Sequence, residues 1–130
     1  MTRGTQPRSL RIRRLVRALF ILAVLVVSIL SLLPSRDLPE VDLSDKFEHV
    51  TSYFMLAIVG SFVFREQRLI LLFVLLCAMG GVIELLQAFS PGRTPDIVDA
   101  IANGAGAAAG VLMGAAFAYL WQWWKPPEFH

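Results

Sequence analysis

Four apolar stretches without a charged residue alternate with polar segments along the 130-residue chain, at 18–33, 50–64, 69–83 and 100–124. A helix that crosses a bilayer needs about 20 mostly apolar residues. The shorter stretches reach this length if Arg17 extends to the lipid headgroups and if the second and third helices continue through the polar residues 46–49 and 84–87. The pattern predicts an all-α polytopic membrane protein, a bundle of four transmembrane helices.

Lysine and arginine are unevenly distributed among the segments that connect these stretches. Nine of them lie in the N-terminal segment, the second connection and the tail, whereas Arg36, Lys46 and Arg93 lie on the other side. Because cytoplasmic loops are enriched in Lys and Arg, both termini are predicted to be cytoplasmic. The chain then consists of a basic cytoplasmic segment (1–17), a four-helix transmembrane domain (18–124) and a cytoplasmic tail (125–130).

The composition changes this interpretation little. Hydrophobic residues make up 56% of the chain and charged residues 17%, which is too apolar for a soluble domain of this size. Half of the twelve Lys and Arg fall within the first 17 residues, so the basic balance is local and no nucleic-acid partner is expected. Cys77 is the only cysteine, which excludes an intramolecular disulfide and a thiolate metal site.

Ten polar residues are predicted to meet near the outer membrane face. The second helix begins at this face, the third ends at it and the fourth begins at it. Within each helix the polar residues are three or four positions apart, which places them on one helix face. Ionisable side chains near hydrocarbon are costly, so they are candidates for a functional site. The ten are Asp45, Lys46, His49, Tyr53, Glu84, Gln87, Arg93, Asp96, Asp99 and Asn103.

The connections give further structural expectations. The short connection 65–68 favours an antiparallel hairpin of the second and third helices. Before the fourth helix, Thr94 is the expected N-cap, with Pro95 at the first helical position and Asp96 in the first turn.

Small residues repeat along the fourth helix. Gly106, Gly110 and Gly114 form a repeated G-x-x-x-G, a spacing that lets helices approach closely in lipid. They are predicted to serve helix packing, either within the chain or with a partner helix.

Two blocks of this sequence resemble the VanZ-like family of small bacterial membrane proteins, over residues 45–110. The first block is Asp45-Lys46-Phe47-Glu48-His49 followed by Tyr53, and the second is Glu84-Leu85-Leu86-Gln87, leading through Pro91-Gly92-Arg93 to Asp96, Asp99, Asn103, Gly106 and Gly110. The resemblance implies a multi-pass protein of the bacterial inner membrane with a role in the cell envelope. The family is named after a protein linked to teicoplanin resistance, so an effect on glycopeptide susceptibility is a further implication, but no mechanism comes with it.

Three functions remain open, beside a scaffold in which the cations only neutralise the acids. The first is a pocket for an anionic lipid or a lipid-linked envelope precursor, with Lys46, Arg93 and His49 holding the headgroup. The second is a membrane-embedded hydrolase or transferase acting on a lipid-linked substrate, either by acid and base groups or through a divalent metal, although the sequence requires no cofactor. The third is a helix-docking subunit or assembly factor that uses the glycine repeat. The catalytic candidates are His49, Glu84, Asp96 and Asp99.

Overall fold

The computed structural model describes residues 8–34 and 45–124, without the side chains of residues 8, 9, 45, 122 and 124. Within these ranges the chain forms four α-helices and no strand, which confirms the all-α class. A 3-10 turn at Glu66–Arg68 precedes the third helix. The helices are α1 (Arg8–Leu32), α2 (Asp45–Val63), α3 (Leu69–Gln87) and α4 (Ile97–Trp124).

Three helical segments of the described chain are long and apolar enough to cross a membrane: Leu10–Leu32, Glu66–Gln87 and Ile97–Trp121. The helix α2 is not among them, because Lys46, Glu48 and His49 fall in its first turns. The apolar helices are compatible with a membrane protein, while the four spans and their orientation stay predictions.

The ends of the helices follow the polar residues closely. As predicted, α2 begins in the polar run before its apolar stretch, and α3 continues through Glu84 to Gln87. The first helix starts earlier than expected, at Arg8 instead of residue 18. Arginine and leucine are good helix formers, and the basic run from Arg8 contains no glycine or proline that would end a helix.

The most extensive helix contact joins α2 and α4, which begin at the same end of the bundle and run parallel. The three glycines of the repeat lie on this interface, where an added methyl group on α4 would collide with α2. The pairs are Gly106 with the main chain of Val50, Gly110 with Phe54 and Ala57, and Gly114 with Ser61. The expected α2–α3 hairpin is therefore a minor contact, because the glycines allow α2 to lie closer to α4.

The core lies between α2, α3 and α4, and α1 packs on its outside. Tyr53, Leu56 and Leu72 are almost fully buried there. Phe20 and Val24 of α1 pack against this core. Most of the other large apolar side chains of α1 are exposed. Such a surface suits contact with lipid chains.

Candidate functional site

The end of the bundle at which α1 and α3 end and α2 and α4 begin is called the polar end below. Here Asp96 caps α4. Its Oδ1 accepts a hydrogen bond from the Val98 N–H at 2.8 Å, and its carbonyl oxygen accepts bonds from the N–H groups of Asp99 and Ala100. These are the bonds of an N-cap residue, so the prediction of Thr94 at this position is wrong. Aspartate ranks above threonine as an N-cap.

Lys46 joins the beginnings of α2 and α4. Its Nζ donates to Asp96 Oδ2 at 3.1 Å and to Asp99 Oδ1 at 3.0 Å, and its side chain remains half exposed. The bonds to Asp99 and then Asp96 raise the pKa of Lys46. The pKa of Asp96 is lowered, first by the Val98 N–H and then by Lys46. Both charged forms are therefore stabilised just before the apolar stretches.

His49 lies one turn further along α2, between two residues of α4. Its Nδ1 is 3.0 Å from Asn103 Oδ1, and its Nε2 is 3.7 Å from Asp99 Oδ2. An amide oxygen can only accept a hydrogen bond, so Nδ1 carries a proton and donates it. In the neutral ring the lone pair of Nε2 then faces the carboxylate of Asp99.

Glu84 brings a carboxylate from α3 to the same place. The side chain is only 6% exposed, and its Oε2 accepts a bond from the Asp96 N–H at 3.2 Å. Its Oε1 is buried and has no hydrogen-bond partner in the described part of the chain; the same holds for the Tyr53 hydroxyl and for Asn103 Nδ2.

Gly80, one turn before Glu84, makes room for two of these unpartnered groups. A Cβ atom at Gly80 would lie 3.1 Å from Asn103 Nδ2 and 3.3 Å from the Tyr53 hydroxyl oxygen. Sequence reasoning missed Gly80. The pair Gly80-Gly81 inside an apolar helix is the signal that could have identified it, since a helical glycine is unfavourable without a packing reason.

Two predicted site residues, together with Ser90, bond to the end of α1 instead. The last carbonyl groups of a helix lack partners within it, and these side chains satisfy three at the end of α1. The bonds are Gln87 Nε2 to the Ser31 oxygen (3.0 Å), Ser90 Oγ to the Leu32 oxygen (2.8 Å) and Arg93 Nε to the Leu33 oxygen (3.4 Å).

Most of the predicted site residues thus converge from three helices. Lys46 and Asp96 form an exposed rim, and the side chain of Asp45 lies outside the described residues. Inside the rim is a group named here the buried cluster, which offers acid, base and ligating atoms in one place. Its members are the buried residues Tyr53, Glu84 and Asn103, together with His49 and Asp99, whose side chains are 14% exposed.

This fold, with long apolar helices and a polar end, is typical of a small membrane protein. The family model described as VanZ/LLP1 matches residues 23–119. The chain belongs to the VanZ/LLP1 family, which confirms the resemblance carried by the polar residues.

One relative is the uncharacterized protein C11E3.10 of Schizosaccharomyces pombe. It is 30% identical over 110 residues, which are 82% of this chain and 66% of the relative. The chain thus matches just under two thirds of that protein, and the similarity reaches a eukaryote. No solved structure matches the chain.

Proposed function

We propose that this chain is a multi-pass protein of the bacterial cytoplasmic membrane whose polar end binds the headgroup of an anionic lipid or a lipid-linked envelope precursor. The observation that carries the proposal is the set of unpartnered buried atoms: the Tyr53 hydroxyl, Glu84 Oε1 and Asn103 Nδ2 in the described structure. A buried polar group without a hydrogen bond costs about 1–3 kcal/mol. Three such groups at one end of a bundle favour a ligand that supplies their partners.

Lys46 beside the cluster and Arg93 at the same end of the bundle support an anionic headgroup. Lys46 is half exposed, and its bonds to Asp96 and Asp99 use two of its three N–H groups. Arg93 donates one described bond, through Nε to Leu33, whereas a guanidinium has five N–H donors. The remaining donors are suited to phosphate oxygens, which form strong charge-assisted hydrogen bonds with Lys and Arg.

An apolar groove between α1 and α2 supports the acyl part of the ligand. Its volume is about 370 Å³, within the range of ligand pockets. It follows α2 from Thr51, two residues beyond His49, to Val59, with Ala23 and Val27 on the side of α1. We assign the acyl chain to this groove, because a headgroup at the polar end would leave the chain of the same molecule beside it.

The test is retention of lipid in native mass spectrometry of the detergent-purified chain. Phosphatidylglycerol and phosphatidylcholine with identical acyl chains are added in equal amounts. The wild type is expected to retain phosphatidylglycerol preferentially, and the variant Lys46→Gln/Arg93→Gln is expected to lose this preference. Those substitutions remove the charges of Lys46 and Arg93, the lysine and the arginine at the polar end of the described chain.

The matched control is Arg65→Gln/Arg68→Gln, which removes two exposed cations at the opposite end of the bundle. It should behave like the wild type. If both double variants lost the preference for phosphatidylglycerol equally, the net charge of the chain and not the polar end would explain it, and the proposal would be refuted. An unchanged preference in the Lys46→Gln/Arg93→Gln variant would also refute the proposal.

A second candidate function is hydrolysis or group transfer on the same lipid. The observation in its favour is the imidazole of His49, which is oriented by Asn103 and faces Asp99, with the carboxylate of Glu84 nearby. An oriented histidine beside a carboxylate is a common general base. The same incubations test this function, because turnover would appear as product masses that are absent with His49→Ala.

A further inference from the structure

We infer that the buried cluster coordinates a divalent cation of the Mn²⁺ or Zn²⁺ type through His49, Glu84 and Asp99. The inference rests on the proposed function in one respect: the cation would share the site with the headgroup and contact its phosphate. The two share the unpartnered Glu84 Oε1 but otherwise depend on different atoms, and they are tested separately.

The first argument is the distance between the three side chains. One ligand atom from each lies within 4.8 Å of the others. Protein nitrogen and oxygen ligands lie about 2.0–2.2 Å from a bound zinc ion, which places neighbouring ligand atoms roughly 3.5 Å apart in a tetrahedron. A modest inward movement of these side chains would therefore complete a coordination site.

The second argument is the way in which each side chain is held by its other polar atom. His49 Nδ1 bonds to Asn103, Glu84 Oε2 bonds to the main chain of Asp96, and Asp99 Oδ1 bonds to Lys46. The atoms left over are an imidazole nitrogen and two carboxylate oxygens, each on an anchored group. Such outer contacts normally orient metal ligands in proteins.

The third argument is the balance of charge. The carboxylates of Glu84 and Asp99 lie close together, and Lys46 contacts only the second of them. Glu84 is buried, and its Oε1 has no donor among the described residues. A buried carboxylate without a partner is unfavourable, and a divalent cation between these side chains would remove that cost. A proton on Glu84 is the competing explanation, and the experiment below separates the two.

The donor set suits Mn²⁺ or Zn²⁺ better than Mg²⁺ or Ca²⁺. Imidazole suits zinc and other transition metals, whereas carboxylates suit Mg²⁺, Ca²⁺ and Mn²⁺. Cys77 lies beside Gly104 on the α3–α4 contact, and no thiolate belongs to the candidate ligand set. Three protein ligands leave coordination positions open, which a phosphate oxygen of the headgroup would fill.

The experiment is a titration of the full chain with Mn²⁺ alone, after chelator treatment in lipid-free detergent, followed by electron paramagnetic resonance of the free ion. The wild type is expected to bind one ion per chain in a saturable manner, with competition by Zn²⁺. Both Glu84→Gln and Asp99→Asn should weaken binding at least about tenfold, because each removes a ligand charge while nearly keeping the side-chain shape.

Glu48→Gln is the matched control, since Glu48 is an exposed acid on α2, one residue before His49. It should bind Mn²⁺ like the wild type. The inference is overturned if the wild type shows no saturable binding, or if Glu84→Gln and Glu48→Gln bind equally well. A proton on Glu84 predicts the first of these results.

A variant that misfolds does not invalidate the test, because Mn²⁺ binding is also measured on the wild type alone. Mn²⁺ that binds the folded state raises the melting temperature of the wild type, and no rise at saturating Mn²⁺ would count against the inference. Retention of phosphatidylglycerol is measured in parallel, once with chelator and once with saturating Mn²⁺. Lipid retention without Mn²⁺ binding would refute the inference and leave the proposed function standing. Mn²⁺ binding without lipid retention in either condition would refute the proposed function and leave the cation site standing.

Discussion

Asp96 and Asp99 lie three residues apart at the start of α4 and still have different environments. Asp96 caps the helix with one oxygen and holds Lys46 with the other. Asp99 also contacts Lys46, but its second oxygen faces His49 in the interior. The first carboxylate therefore has a complete structural role, whereas the second keeps an oxygen available for a ligand.

The environment of Asp96 predicts how stability depends on pH. A carboxyl group whose pKa is lowered on folding contributes stability that is fully present above its usual pKa of about 4 and lost as the pH falls through the lowered value. Lys46 has a raised pKa, so its contribution is present below about pH 10 and lost above that. Melting temperature in detergent should therefore fall on both sides of a neutral plateau.

Substitution of Asp96 separates this effect from the other acids. In Asp96→Asn the melting temperature near neutral pH should be lower than in the wild type, and it should fall less as the pH is lowered. The reason is that this variant lacks the carboxylate that bonds to Val98 and Lys46. In the control Glu48→Gln the melting temperature should fall at low pH as it does in the wild type. If the melting temperature of Asp96→Asn fell just as steeply, the assignment of this effect to Asp96 would be contradicted.

Side-chain identity predicted which residues lie at the polar end better than it predicted what they contact. The high cost of polar groups near hydrocarbon singled out Glu84, His49 and Asn103, and these do meet in the structure. Gln87 and Arg93 carried the same signal but bond to main-chain oxygens of α1. A carbonyl group is present at every position, so no sequence pattern marks such a partner.

At the scale of the helices, loop length was a weaker guide than the glycine repeat. The short connection between α2 and α3 makes them sequence neighbours, yet their contact is much smaller than that between α2 and α4. The repeat on α4 decides the main contact, since a helix without side chains on one face can receive the backbone of another. The N-terminal extension of α1 was also missed, because charge marked residues 8–17 as a separate segment while helix propensity continues through them.

A pair of neighbouring glycines tests this packing. A methyl group at Gly106 would collide with the main chain of Val50, which cannot rotate away, whereas one at Gly104 would meet only Cys77 Sγ, at 3.8 Å. Gly106→Ala is expected to lower the free energy of unfolding by about 1–3 kcal/mol through overpacking. Gly104→Ala should leave it unchanged or raise it by up to about 1 kcal/mol through helix propensity.

Both glycine variants are compared with the wild type by reversible unfolding in mixed detergent, followed by circular dichroism. The two substitutions change propensity equally, so their difference reports the α2–α4 contact alone. If Gly106→Ala proved as stable as Gly104→Ala, α2 and α4 would have to be further apart than the structure places them.

For the whole molecule, the path of α2 relative to the bilayer decides on which side of the membrane each connection lies. Three helical segments are long and apolar enough to be spans. The helix α2 is not apolar enough, because its first turns carry polar residues of the candidate site. Its remaining turns are apolar and pack largely against α1, α3 and α4, although Met55 and Phe62 are exposed. A helix that is shielded by its neighbours can cross a membrane with polar groups at one end, because they remain at headgroup depth.

Cysteine labelling tests this path together with the orientation. In a Cys77→Ala background, single cysteines replace Pro34 after α1, Gln67 between α2 and α3, and Pro91 between α3 and α4. The excess of Lys and Arg on one side predicts that the Pro34→Cys and Pro91→Cys chains react with a membrane-impermeant maleimide in intact bacterial cells. Gln67→Cys should react only after the membrane is permeabilised, because α2 and α3 each reverse the side. Labelling of all three positions in intact cells would mean that neither helix crosses, and the opposite pattern would place the polar end in the cytoplasm, where an envelope precursor would have to be bound from the inner leaflet.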